Sequence, residues 1–185
     1  MAALDLGSEQ VETLEAFADT ILPGARRGPD DRAVAGVAEG GGAVAAGALE
    51  LLSWDATGVT GWLPGLADTL NDHARAYAAE HGLAEGRPAF VGLAYADRRA
   101  LVGRLTTPDH PEKAFWVSLA LFCNMAFDSA AHLNTAAALA AGHPGLVAMG
   151  IAPPDADGRW RFPDFGYGRE LARLHPSTTA SGSPE

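Results

Sequence analysis

The sequence predicts an all-α fold, and three observations carry that expectation. Apolar residues recur at helical spacing in several separate stretches. Glycine and proline clusters divide those stretches at helix-length intervals. No strand-like alternation of any length appears before the C-terminal region, and no repeat of fixed period is present.

The first helix begins near Ser8, which reads as an N-cap with Glu9 and Glu12 in the first turn. Val11, Leu14, Phe17, Ala18 and Ile21 carry its apolar stripe, and Pro23-Gly24 stops it. The loop ARRGPDD follows, with Asp30 or Asp31 as the next cap. A second helical region is expected from about Arg32 to Leu52, where Val34, Val37, Val44, Ala48, Leu51 and Leu52 keep the period. Gly40-Gly41-Gly42 interrupts it. Three glycines cost roughly 3 kcal/mol relative to alanines in a helix. They either split the region into two helices or allow close packing against another backbone. No strand precedes them, so they do not read as a phosphate loop.

Trp62, Leu63, Leu66, Leu70, Ala74 and Tyr77 form the next amphipathic stripe, stopped by Gly82. His73 and His81 on it read as surface histidines. Phe90, Val91 and Leu93 open a fourth region, and RRALVGRL continues it with Leu101, Val102 and Leu105 buried. Thr106 to Pro111 is a short link.

The longest uninterrupted helical phrase is residues 111–141, PEKAFWVSLALFCNMAFDSAAHLNTAAALAA. Pro111 suits a first helical position, and Gly142-His143-Pro144-Gly145 is a strong stop. One central helix of about eight turns is expected. Ala114 to Phe127 carries no charge, and a helix that is apolar nearly all round is normally buried. One narrow stripe differs: Asn124, Asp128 and Thr135, with His132 at its edge. It either faces solvent or lines a cleft or partner surface. After Gly145 helical periodicity fades into an aromatic, mostly irregular arm over 145–175. Asp157-Gly158 there is a turn signal, and a short strand over Trp160-Arg161-Phe162 and a last short helix near Gly168 are expected. Residues 1–175 read as a single helical domain and 176–185 as a disordered tail.

Composition limits the functions available. The 185 residues contain 13 Lys+Arg and 23 Asp+Glu, a net charge of −10. Such a chain is a poor partner for nucleic acid or anionic lipid, so neither is expected. Cys123 is the single cysteine and reads as a small core residue, which excludes a disulfide or a cysteine-based metal site. The N-terminus lacks a secretory pattern, and Arg26-Arg27 is followed by GPDD rather than an export signal. The expected location is the cytoplasm.

No dinucleotide fingerprint, nucleophile elbow or His-Glu-x-x-His motif is present. Asp128 and His132, four residues apart, could act as an acid–base pair, or bind a metal with His110 or His143. They are the alternative only; no catalytic, cofactor-binding or metal-binding residue is assigned to the chain. His143 reads as a helix-end cap. Trp160, Arg161, Phe162, Phe165, Tyr167 and Arg169 in the arm are the candidate partner-interface residues, since arginine among aromatics is common at interfaces.

The phrase LEAFADTILPGARRGPDDRAVAGVAEGG adds a family resemblance. Its Ala18–Gly24 motif, the loop at Gly28-Pro29-Asp30 and the Ala35-Gly36-Val37 step resemble the small-subunit (subunit 3) family of gluconate 2-dehydrogenase. The later order, DRRALVGRL, then FWVSLALFCNMAFD, then an aromatic arm, is also similar, so the resemblance spans about three quarters of the chain. It implies a non-catalytic accessory subunit. The partner would be a large FAD-dependent subunit of the glucose–methanol–choline oxidoreductase type, acting on an alcohol or sugar. The FAD and the catalytic histidines would belong to that partner, and no family catalytic residue maps onto this chain.

Overall fold

A computed structural model describes residues 6–160. It divides the chain into two compact units, Met1–Ile151 and Ala152–Glu185. The all-α expectation holds: the described residues form eight α-helices and no strand. They are α1 (Ser8–Ile21), α2 (Ala48–Leu52), α3 (Leu63–His81), α4 (Ala89–Gly92), α5 (Tyr95–Leu105), α6 (Lys113–Asp128), α7 (Thr135–Ala140) and α8 (Pro144–Ala148). No helix among the described residues is long and apolar enough to cross a membrane.

The helix at the centre of the packing is α1, which touches α2, α3, α4, α5 and α6. Its buried residues include Leu14, Ala16, Phe17 and Ala18, with Asp19 among them. It starts one residue earlier than expected: Gly7, not Ser8, is the N-cap, and the Gln10 side chain accepts from the Gly7 N–H at 3.1 Å. Phe17 packs on Trp116 of α6 with ring centroids 6.1 Å apart. Around this contact the core gathers Leu51 and Leu52 from α2, Leu63 and Leu70 from α3, Phe90 from α4, Leu105 from α5 and Leu119 from α6.

The second region corrects the sequence expectation. Only Ala48–Leu52 is helical; most of the chain before it is irregular. Gly36, Gly40 and Gly47 hold φ of 70°, 76° and 83°, a left-handed backbone incompatible with a continuous helix. The other open alternative is realised. The Ala43 N–H donates to Leu22 O at 2.9 Å and the Ala25 N–H to Gly40 O at 2.7 Å, drawing the two backbones together. A Cβ on Gly42 would stand 2.4 Å from Leu22 O.

Two buried charges hold this irregular segment. The Asp19 carboxylate, 1% exposed, accepts from the Gly24 N–H at 3.2 Å and the Ala35 N–H at 2.8 Å. Arg98 of α5, 3% exposed, donates to the carbonyls of Ala33 (2.7 Å), Val91 (2.6 Å) and Leu93 (3.2 Å). Burial raises the Asp19 carboxyl above its ordinary range, against the pull of those two N–H groups and Arg98. Burial likewise lowers the Arg98 guanidinium, with Asp19 opposing it.

The expected helix over 111–141 is also corrected. It begins at Lys113, ends at Asp128 and resumes only at Thr135. Ala130 takes a left-handed φ of 47°. α8 crosses at this point: a Cβ on Gly145 would lie 1.8 Å from Phe127 O, so the end of α6 is pressed against a neighbouring backbone. Asn134 then caps α7, its side chain accepting from the Ala137 N–H at 3.1 Å. The loss of helical character expected after Gly145 is preceded by one more short helix, α8, with Pro144 in its first turn.

In the second unit, the predicted Asp157-Gly158 turn is present. The Gly158 N–H donates to Asp155 O at 2.8 Å, and Gly158 has φ 78°. The WRF phrase beyond Trp160, the last short helix and the tail lie outside the described residues.

Candidate functional site

α6 was expected to be buried all round, and it is not. Trp116, Leu119, Cys123 and Ala126 face the core. Leu121 is 57% exposed and Met125 40%, one helical turn apart on the outer side, with Phe115 40% exposed on the flank. The Trp62 indole, 56% exposed, stands edge-on to Phe115 at 5.4 Å. Two polar side chains of this helix donate back to its own backbone. Ser118 Oγ donates to Ala114 O at 2.7 Å and Asn124 Nδ2 to Ala120 O at 2.9 Å, both folded onto their own helix. Large apolar side chains open to solvent on an uncharged helix are a feature of surfaces that meet a partner. Inside the same helix, burial pushes the Cys123 thiol up to about 12, which fits the core role read from sequence.

The polar stripe is not assembled. Asp128 is the last residue of α6, His132 lies in the following turn and Thr135 opens α7, so they share no helical face. No hydrogen bond joins Asp128 to His132 among the described residues. Asp128 is exposed. The His132 ring packs where a Gly47 side chain would stand, with Nε2 2.5 Å from a Cβ built there. Its Nδ1 is buried without a hydrogen-bond partner among the described residues. Burial lowers the His132 pKa, with Glu50 opposing and His143 adding to the fall.

His143 is a cap, as expected, but of the helix after it. Its Nδ1 accepts from the Leu146 N–H at 3.3 Å and its Nε2 donates to Ala46 O at 3.1 Å. One acceptor and one donor describe a neutral imidazole. Of the arm residues, Trp160 is described: it is 39% exposed, and its indole N–H donates to Ala152 O at 2.8 Å. Arg161, Phe162, Phe165, Tyr167 and Arg169 lie outside the described residues.

A different cluster does come together, and sequence reasoning missed it. His73, read as a surface residue, sits in the middle of α3 and is partly buried. Its Nε2 meets Glu112 Oε2 at 2.8 Å. Trp116, 1% exposed, donates its indole N–H to the same oxygen at 3.0 Å. His110 completes the group. Its Nδ1 accepts from the Glu112 N–H at 3.2 Å, and its ring stands 5.8 Å from that of His73. The His73 hydrogen bond is the main cause holding the Glu112 carboxyl below its ordinary range, with the indole adding to it against burial. One sequence signal was available: Glu112 and Trp116 are four apart at a helix start, with His110 just before them. The distance from His73 is 39 residues, which only the packing of α3 against this turn closes.

A shallow groove of about 520 Å³ lies between the Pro29–Val37 loop and the Gly86–Tyr95 segment, with Arg26, Arg32, Arg87 and Arg98 along it. Three of these guanidinium groups already serve backbone carbonyls: Arg26 that of Val34, Arg32 that of Arg87, and Arg98 those given above. The groove reads first as the seam of the loop.

No curated protein and no solved structure matches this chain. Residues 8–185 match the family described as "Family of unknown function (DUF5987)", and the chain belongs to that family.

Proposed function

We propose that this chain is a non-catalytic accessory subunit of a cytoplasmic oxidoreductase, binding and stabilising a large FAD-dependent subunit that acts on an alcohol or sugar. The observation that carries the docking part is the outer side of α6, where Leu121 and Met125 are open to solvent on a helix uncharged from Ala114 to Phe127. The flavoprotein identity of the partner rests on the resemblance of Ala18–Gly24 and the segments after it. The chain would bind no cofactor of the reaction; FAD would sit in the partner. Trp160, with the arm beyond it, would supply a second anchor.

The test is co-purification from the native cytoplasm with the absorbance of the eluate recorded. The wild-type chain is expected to bring down a stoichiometric large protein with a flavin spectrum. Leu121→Asp combined with Met125→Glu is expected to weaken that association at least tenfold, about 1.4 kcal/mol. Circular dichroism should not change, because both side chains already face solvent. Trp160→Ala should weaken assembly more than folding. A chain that retains no flavoprotein, or a double variant that retains it as well as wild type, refutes the reading.

A further inference from the structure

We propose that His73, His110 and Glu112 bind one divalent transition-metal ion, and that zinc is the ion their donor set suits best. Two imidazoles and a carboxylate are a recurrent zinc set, leaving a fourth position for water. One ligand atom from each residue lies within 4.8 Å of the others. His73 Nε2 and Glu112 Oε2 already meet at 2.8 Å. Zinc takes nitrogen and carboxylate oxygen at about 2.0–2.2 Å, so small side-chain rotations bring the three donors onto one ion. The ion takes the place of the hydrogen bond between His73 Nε2 and Glu112 Oε2, with the neutral imidazole carrying its proton on Nδ1.

The surroundings support ligation. The Trp116 indole N–H holds Glu112 Oε2 at 3.0 Å from a fully buried ring, which is how outer partners orient a metal-binding carboxylate. The His110 backbone is fixed on both sides: its N–H donates to Thr107 O at 3.1 Å, and its carbonyl accepts from the Lys113 N–H at 3.0 Å. Its Nε2 carries no hydrogen bond among the described residues. All three residues are partly exposed, which leaves a path for the ion and room for a water ligand. The ion would tie α3 to the start of α6 across the link between α5 and α6.

The experiment uses the purified full chain, stripped with a chelator and titrated with Zn²⁺ by calorimetry and with Co²⁺ by visible absorbance. One ion per chain is expected, with Co²⁺ bands of tetrahedral intensity and a rise in Tm on Zn²⁺ addition. His110→Ala and Glu112→Gln should each weaken binding at least tenfold. His81→Ala, on the same helix as His73 but outside the cluster, should bind as wild type. His110 lies in a link, so its variant is expected to keep the wild-type circular dichroism and decides the matter even where a change at His73 disturbs α3. A wild-type chain that takes up no stoichiometric ion, or a His110→Ala chain that binds as wild type, overturns the proposal. Neither result bears on the docking test, which uses the other side of α6.

Discussion

Asp19→Ala should loosen the irregular segment between α1 and α2 without touching the helices themselves. The carboxylate is 1% exposed and accepts from the N–H groups of Gly24 and Ala35. Removing it leaves two backbone donors unpaired, Gly24 buried and Ala35 partly buried, at about 1–3 kcal/mol for a buried one and less for the other. It also deprives buried Arg98 of its nearby opposite charge. Relief from burying a carboxylate offsets part of this, and a net loss of about 3 kcal/mol is expected. In a chain of this size that lowers Tm by about 6–12 °C. Thermal unfolding followed by circular dichroism measures the fall. Limited proteolysis should show new cleavage between Gly24 and Gly47 well below Tm. Asp19→Asn should fall between the two, since an amide oxygen serves one N–H while its NH₂ faces the other. A Tm within about 2 °C of wild type for Asp19→Ala, with no new cleavage, would refute this account of the segment.

Two further outcomes follow from the same region. Gly42→Ala sets a Cβ 2.4 Å from Leu22 O and 2.7 Å from Gly24 N, so backbone must move; a loss of about 1–3 kcal/mol is expected in chemical denaturation. Gly61→Ala, with nothing within 4 Å of its Cβ, is the matched control and should stay near wild type. Arg27 hydrogen bonds hold the Asp31 carboxyl at about 2, down from 3.8. Because the folded value is depressed, the stabilisation is complete above pH 3.8 and is lost as pH falls towards 2. Arg27 is 47% exposed, so solvent screening leaves about 1 kcal/mol of it. Asp31→Asn should flatten that part of an acid titration of stability, and an unchanged slope would contradict the pairing.

Fold class was legible because it depends on local pattern. The stripes of α1 and α3 need only the residues within each helix, and both helices end where Pro23 and Gly82 said they would, to within a residue or two. The break inside 111–141 was legible only in part. Asn134 is a sound N-cap before TAAALA, but alanine-rich sequence on both sides reads equally well as continuous helix. What decides it is the backbone of Gly145 against Phe127 O, 18 residues further on.

The candidate sites divide in the same way. Composition and the absence of catalytic motifs were read directly, and so was the uncharged run from Ala114 to Phe127. Which side of that run meets water was not, because the number of neighbours packed on a helix is a property of the whole chain. The sequence placed α6 at the centre, and the tertiary structure gives that place to α1. Asp128 and His132 looked paired on the assumption of one helix, and the chain turn between them separates their roles. His73 and Glu112 looked unrelated, and packing brings them to 2.8 Å. By itself the sequence determined the helical class, the net acidic charge and the helix stops at Pro23 and Gly82, all set by composition or within a few residues. Only the tertiary structure decided the central helix, the exposed apolar face and the histidine–carboxylate cluster, because each depends on contacts between segments far apart in the chain.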